Sequence, residues 1–316
     1  LFTRGMINFN NAPFWVNLTQ GVINGNWEPR HFEFSTDGNT LYMAGGTSFS
    51  GGGRIYRATG LRGAVYREIY KIIKDEGDLD ASGLDQATIA LYKTYAEDTI
   101  RDAQDTIPEA AVANNIWDAE KEGIKVELLR TFGNQTAVGL GVDPQDANRI
   151  VVTLGNYGIG LDHVYYADNA LEEDPEDISW TVLDNNGGIN GRLADMPVYD
   201  ALIPANDPDV LLLATELGMY QYEFDRATDG FTEINDGFDV VPTLMLRQIV
   251  SNPDWPNKGP VIYAGSHGRG IFKTTSYDPL TSIRERKEEV RELGIKVYPN
   301  PTASSFTLDY ETNGAN

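Results

Sequence analysis

One order of features recurs along this chain and limits what it can fold into. Four segments each open with an aromatic or apolar strand and cross a Gly/Asn/Pro loop to a second strand. A turn then leads to a strongly apolar third strand, and a small-residue turn leads to an aromatic fourth. The first runs from Phe14-Trp15-Val16-Asn17-Leu18 through Phe32-Glu33-Phe34 and the turn Thr36-Asp37-Gly38-Asn39. It continues with Leu41-Tyr42-Met43-Ala44 and ends at Arg54-Ile55-Tyr56-Arg57. The second runs from Val126-Glu127-Leu128-Leu129 through Asp143-Pro144-Gln145-Asp146 and Ile150-Val151-Val152-Thr153 to Val164-Tyr165-Tyr166. The third starts at Trp180-Thr181-Val182-Leu183 and passes Tyr199-Asp200-Ala201-Leu202. Asn206-Asp207-Pro208 follows, then Val210-Leu211-Leu212-Leu213-Ala214 and Gly218-Met219-Tyr220. The fourth starts at Phe231-Thr232-Glu233-Ile234 and passes Arg247-Gln248-Ile249-Val250 and Asn252-Pro253. It closes with Val261-Ile262-Tyr263-Ala264-Gly265 and Gly270-Ile271-Phe272. The closing aromatics Tyr165, Tyr220 and Phe272 lie 55 and 52 residues apart, whereas Tyr56 lies 109 before Tyr165, one period more.

Four short strands per period, with turn residues between them, describe β-propeller blades. A continuous apolar third strand fits sheets stacked face to face. The stretch Leu212-Leu213-Ala214-Thr215-Glu216-Leu217-Gly218-Met219-Tyr220, preceded by Asn206-Asp207-Pro208, resembles a blade of the sortilin-type, BNR-repeat propellers. Ile262-Tyr263-Ala264-Gly265-Ser266-His267-Gly268-Arg269-Gly270-Ile271-Phe272 resembles their final blade. The resemblance covers residues 14–60 and about 124–275. That family includes sialidases, xyloglucanases and many surface proteins of unknown role, so it speaks for fold more than function. Its Asp-box, Ser-x-Asp-x-Gly-x-Thr-Trp, is degraded here. Ser35-Thr36-Asp37-Gly38-Asn39-Thr40 is similar but precedes the third strand, and Ala167-Asp168 reaches Trp180 only after an acidic insertion. Closed propellers have four to eight blades, and this family usually has more than four. Leu1 starts in mid-pattern, so the expectation is the C-terminal part of a larger propeller, with blades at 1–61 and 123–277.

The missing period is filled by residues 62–122, which read as an α-helical insertion. Ala64, Tyr66, Ile69, Tyr70, Ile72 and Ile73 fall at helical spacing, and Ile89, Leu91, Tyr92, Tyr95 and Ile100 do so again. Pro108 suits the first turn of a third helix through Trp117. Asp78-Leu79-Asp80-Ala81-Ser82-Gly83 matches the first half of an EF-hand loop, which makes Asp78, Asp80 and Ser82 candidate calcium ligands. The second half fails, with Asp85 and Ile89 where an apolar residue and a bidentate Glu belong. A helix start capped by Ser82 or Asp80 uses the same residues. Asp98-Thr99-Ile100 and Asp105-Thr106-Ile107 resemble the O-glycosylation sites of Bacteroidota, with Thr99 and Thr106 as acceptors.

Residues 278–294 form a charged linker, and Ile295-Lys296-Val297-Tyr298-Pro299-Asn300-Pro301-Thr302 follows. An apolar strand runs into a turn whose prolines fix φ, and Ser305-Phe306-Thr307-Leu308 restarts a strand. The motif Val297, Tyr298, Pro299, Asn300, Pro301 resembles the opening of the C-terminal sorting domain that directs cargo through the type IX secretion system of Bacteroidota. That resemblance implies export to the cell surface or medium, with the secretion machinery as a partner. Residues 295–316 are too few for a complete β-sandwich and read as a truncated sorting domain.

Composition narrows the partners. Net charge is −22, from 47 acidic against 25 basic residues, which opposes binding to a phosphate backbone, so nucleic acid is not expected. Cysteine is absent, which excludes disulfides and thiolate metal sites. No apolar run reaches the length of a bilayer-spanning helix, so no membrane span is expected. The first residues lack the regions of a signal peptide, so an exported form is expected to carry sequence before Leu1.

Catalytic chemistry finds little support. His31, His163 and His267 lie in different blades without metal-ligand spacing, and no nucleophile elbow accompanies them. Glycoside hydrolysis needs two carboxylates across a cleft, and Asp143, Asp162, Asp195, Asp200 and Asp239 are candidates without a preferred pair. Sialidases need an arginine triad and a Tyr nucleophile; Arg192, Arg247 and Arg269 lie in no matching motif. Gly51-Gly52-Gly53 lacks a following Lys-Ser/Thr and reads as a hairpin, not a phosphate loop. The expected fold is mainly β, a set of propeller blades with a helical insertion and the start of a sorting domain. The expected role is a surface binding or structural module for a protein or glycan, with no cofactor beyond a possible calcium. The alternative is an extracellular glycoside hydrolase of the xyloglucanase or sialidase type.

Overall fold

The computed structural model describes residues 2–4, 14–18, 22–23, 26–47, 51–62, 86, 90, 116–118, 124–184, 192–227, 229–238, 240–249, 261–275, 277, 296–298 and 307–309. The described part is mainly β. A short three-stranded sheet joins β1 (Phe2–Arg4), β2 (Phe14–Asn17) and β6 (Ile116–Asp118). Four larger antiparallel sheets follow in chain order. Sheet one is β3 (Trp27–Phe34), β4 (Leu41–Thr47), β5 (Gly51–Thr59) and β7 (Lys125–Thr131). Sheet two is β8 (Ala137–Val142), β9 (Ile150–Leu154), β10 (Val164–Ala167) and β11 (Thr181–Val182). Sheet three is β12 (Val198–Leu202), β13 (Val210–Thr215), β14 (Gly218–Glu223) and β15 (Phe231–Glu233). Sheet four is β16 (Thr243–Ile249), β17 (Val261–Ser266) and β18 (Gly270–Thr274). A separate hairpin pairs β19 (Lys296–Tyr298) with β20 (Thr307–Asp309).

The sheets are offset by one strand from the sequence repeats. The strand that opens each repeat pairs with the closing strand of the repeat before it. Thus β7 joins β5, β11 joins β10 and β15 joins β14, all antiparallel. The opening strand of the first repeat, β2, has no place in sheet one and pairs with β1 and β6. Periodicity cannot reveal this shift, because a repeat keeps its period wherever the unit is cut.

Sheets one to four stack in order through their inner strands, β3, β8, β12 and β16. The apolar strand of each unit lies between two sheets, which is why β9 and β13 are buried along their whole length. Alternation along the strand divides the work. Ile150, Val152 and Leu154 pack toward sheet one with Tyr42 and Phe132, and Val151 packs toward sheet three. Leu211 and Leu213 pack toward sheet two, whereas Leu212 and Ala214 meet Leu246 and Ile262 of sheet four.

Turns at one end of the stack lace the sheets together. Thr36 Oγ1 donates to Pro144 O at 2.6 Å, and Tyr42 OH donates to Ala147 O at 2.7 Å. Gln145 Nε2 donates to Ala205 O at 2.7 Å, and Arg149 Nη2 donates to Pro208 O at 2.9 Å. Gln248 then reaches back from sheet four, donating to Ile203 O and accepting from Ala205 N–H, both at 2.9 Å. The Asp-box-like turn holds itself: Ser35 Oγ donates to Asp37 Oδ1 at 2.6 Å, and Gly38 takes φ 70°.

Most of the insertion lies outside the described residues; Leu61, Arg62, Gln86 and Ala90 are helical. One expectation is corrected. Trp117, placed by spacing in a third helix, sits in β6 and pairs in parallel with Val16. Its neighbour Ile116 and Trp117 itself are strand formers, and pairing with β2 overrides the helical pattern.

Close stacking depends on glycine in β8. A Cβ on Gly139 would lie 2.6 Å from Asp200 Cα and 2.7 Å from Tyr199 O, both rigid backbone atoms. Gly139→Ala is expected to cost about 2 kcal/mol or more, because sheets two and three would have to separate. Urea unfolding monitored by tryptophan fluorescence measures it, and a change under about 0.5 kcal/mol would contradict this packing.

Candidate functional site

Asp200, on the inner strand of sheet three, brings together groups from all four sheets. Its side chain is 3% exposed. Oδ2 accepts from Leu246 N–H at 2.8 Å and from Arg247 Nη1 at 2.9 Å, both on β16. Oδ1 accepts from Ala201 N–H at 3.0 Å and lies 3.2 Å from Nδ1 of His31 on β3. The same Nδ1 is 3.1 Å from Leu140 N–H on β8. The sequence marked Asp200, Arg247 and His31 separately; the fold makes them one cluster. Strand position held no signal for this, because each lies on a different sheet.

His31 Nδ1 cannot donate to Asp200 and accept from Leu140 N–H together. The charges decide between them. Burial alone lowers the imidazole pKa, but hydrogen bonding and charge from Asp200, with Glu33 in support, outweigh it and raise it to about 9, Arg247 opposing. His31 is therefore cationic at neutral pH, with Nδ1–H facing Asp200. Its Nε2 lies 3.5 Å from Glu33 Oε2, a charge contact longer than a hydrogen bond. A small pocket of about 60 Å³ adjoins the cluster, lined by Glu33, Arg247 and residues of β8 and β12.

The other buried acid candidate is also engaged. Asp143 accepts from Gln145 N–H at 2.8 Å and from Arg149 Nη1 at 2.6 Å, with its side chain 1% exposed. It fixes the β8–β9 turn. Asp195 accepts from Gly160 N–H at 3.0 Å and lies 3.8 Å from Arg192. Asp162 lies in the β9–β10 loop, where its carbonyl accepts from Gln135 Nε2 at 2.9 Å, and Asp239 is outside the described residues. The arginine candidates take separate places: Arg247 is on Asp200, Arg192 is beside Asp195, and Arg269 is in the β17–β18 turn.

One further contact had no signal in the sequence. Tyr199 OH donates to Glu216 Oε2 at 2.5 Å, and Tyr157 nearby is 68% exposed. Burial, with Glu216 and Tyr157 in support, raises the Tyr199 pKa, so the phenol is a held donor rather than a nucleophile.

His163 is structural: its ring is buried, Nδ1 lies 3.5 Å from Asp184 Oδ2, and Nε2 lies 2.9 Å from Asn156 O. His267 sits in the β17–β18 turn, with its N–H on Pro242 O at 2.8 Å. Gly51-Gly52-Gly53 opens β5. Asp78, Asp80, Ser82, Thr99 and Thr106 lie outside the described residues, as do Pro299, Asn300 and Pro301. Val297 and Tyr298 belong to β19, opposite Leu308 and Thr307. Among the described residues, no group of three His, Cys, Asp or Glu could hold a metal ion, and no helix is long and apolar enough to cross a membrane.

Two predictions follow the cluster's chemistry. Asp200→Ala strands the buried His31 cation and the Leu246 N–H, so it is expected to lower unfolding free energy by about 3–5 kcal/mol, as read by urea unfolding. The His31 pKa is higher in the folded chain than the ordinary 6.5, so its contribution is whole below 6.5 and is lost as pH rises through about 9. Chemical unfolding across that window is expected to show falling stability in the wild type and a flatter profile in His31→Gln. Equal slopes would refute a cationic His31.

No protein-family model matches the chain, and no curated protein matches it. Among solved structures, one match is the crystal structure of a GH74 enzyme from Niastella koreensis, 15% identical with a TM-score of 0.35. It covers 81% of this chain and 29% of that one, so this chain spans less than a third of that enzyme's length. A likeness this distant adds nothing to what the sheets themselves establish.

Proposed function

We propose that this chain is the blade region of a secreted or surface-displayed β-propeller of the sortilin-type, BNR-repeat kind. It acts there as a binding or structural module for a protein or glycan. One observation carries the reading against a hydrolase: the buried acids Asp143 and Asp200 are both engaged by structural donors. A general acid needs a carboxyl free to exchange its proton with substrate. Asp200 is held by Arg247, His31 and a neighbouring strand, and Asp143 by Arg149 and its own turn. The face carrying Tyr157, Tyr199 and Glu216 suits contact with a partner, since it offers an exposed aromatic ring beside fixed polar groups. The motif at Val297 to Pro301 supports export by the type IX machinery.

The alternative, a glycoside hydrolase of the xyloglucanase or sialidase type, is separated by a direct assay. Purified protein is expected to release neither reducing ends from xyloglucan nor sialic acid from sialosides, while still retaining a surface protein or glycan on an affinity matrix. Turnover that Glu216→Gln or Asp195→Asn abolishes, with folding intact, would establish the hydrolase instead. For export, replacing Tyr298 and Pro299 by Ala in the native host is expected to retain the protein inside the outer membrane. Undiminished surface display would remove the sorting reading.

A further inference from the structure

Aromatic rings fill the gaps between neighbouring sheets. Between sheets one and two, Phe132, which follows β7, packs on Tyr165 of β10 with ring centroids 5.0 Å apart. Trp180, just ahead of β11, adds a third ring edge-on to Phe132 at 6.3 Å. Between sheets two and three, Tyr166 meets Phe224 at 4.7 Å. Tyr222 packs there on Phe224 at 5.5 Å and on Phe231 at 5.0 Å. Both groups of rings belong to, or pack against, the apolar core of their gap.

Between sheets three and four the first two rings recur. Phe238, which follows β15 as Phe132 follows β7, packs on Phe272 of β18 with centroids 4.3 Å apart. Phe272 is the closing aromatic of its repeat, as Tyr165 is of its own. A turn sets Phe238 in place: its N–H donates to Asn235 O at 2.9 Å, and Gly237 takes φ 74°. Where Trp180 adds its ring in the first gap, this gap holds a cavity of about 340 Å³, lined by Phe238 and Phe272. Leu212, Met219, Ile262 and Ala264 give it apolar walls, and the exposed Asp236 and Lys273 border it. Tyr277 also lines it, with its hydroxyl donating to Gln221 Oε1 at 2.7 Å. Packed interiors hold few voids larger than a water molecule. A volume of this size falls instead in the range of ligand pockets.

We propose that this cavity is a binding pocket for a tryptophan side chain of a partner polypeptide. The guest ring takes the place beside Phe238 and Phe272 that Trp180 takes beside Phe132. The lining selects the chemistry. Rings at the wall favour another ring in edge or tilted contact, and the Met219 thioether favours an aromatic neighbour. Apolar walls oppose a charged guest. Asp236 and Lys273 supply an acceptor and a donor at the border, which suits a ring carried on a peptide backbone. An aromatic anchor seated in a pocket is a common centre of binding energy in protein interfaces. The inference rests on the reading of the chain as a binding module and names one contact that such a module uses. It shares no residue with the face of Tyr157, Tyr199 and Glu216.

Met219 makes the pocket observable. The chain has five methionines, so methyl-labelled methionine gives few NMR signals, and Met219→Leu assigns the one from the pocket. N-acetyl-tryptophanamide added to the full chain is expected to move the Met219 signal saturably through its ring current. Met43, buried on sheet one, is expected to stay still. N-acetyl-alaninamide is expected to bind at least about tenfold more weakly. Ile234 also lines the cavity, so Ile234→Trp supplies a ring from the chain itself. It is expected to abolish the Met219 response while Met43 keeps its wild-type shift. A Met219 signal that ignores the tryptophan amide, or answers both amides equally, would overturn the proposal, and the wild-type titration decides this without the variant. A response that survives Ile234→Trp in a folded chain would overturn it too. None of these results removes the binding-module reading, which fails instead if the protein turns over xyloglucan or sialosides.

Discussion

The stack depends on one carboxylate. Asp200 is almost wholly buried, and an ion in that position is tolerated only when its charge and lone pairs are met. Here they are met by a backbone N–H and a guanidinium from sheet four and an imidazole from sheet one. The backbone nitrogen of Leu140 in sheet two lies 3.1 Å from the same imidazole nitrogen. Apolar packing between the sheets is strong but non-directional, and flat β surfaces can slide over one another. A hydrogen-bonded charge fixes register where packing alone would not. Gly139 is part of the same arrangement, because the approach of β8 to β12 that brings Leu140 to the cluster requires a residue without a Cβ.

The turns at one end of the stack use the same logic with side-chain donors aimed at backbone carbonyls. Successive hairpins pass a side-chain donor to the next sheet's carbonyls, through Thr36, Gln145 and Arg149. Asp143 is the pivot, since it holds both its own turn and the arginine that reaches onward. Acidic residues are abundant in this chain, yet the two buried ones named as candidate catalysts serve architecture. Abundance of carboxylates is thus a poor guide to hydrolysis, because a fold of stacked sheets consumes acids at its turns and inner strands.

Much of the local structure was legible. The runs Ile150–Thr153 and Val210–Ala214 were readable as strands buried on both faces, because only such strands lack a polar face. The turn at Thr36–Asn39 was readable from residues that accept positive φ. Strand partnership was not legible, because pairing is non-local and a period survives any choice of cut. Trp117 shows the limit on another scale, where an aromatic at helical spacing was claimed by a neighbouring strand. Asp200 and His31 were visible as residues but not as a pair, since more than one hundred and sixty positions separate them. Only closure of three sheets makes them neighbours.

The offset between repeat and sheet changes where the long excursion after the first unit sits. It interrupts a sheet rather than separating two sheets, leaving from β5 and returning as β7. Thr59 at its exit pairs with Lys125 at its return. Both ends are therefore pinned as direct neighbours across a ladder, about 5 Å apart. An excursion anchored in this way behaves as a graft on two adjacent stems. Its length and content can change in evolution without altering the geometry of the host sheet, because a tight hairpin turn would close the same gap. The rim of the first sheet is thereby a port at which a whole module can be exchanged, while the inner strands stay as they are.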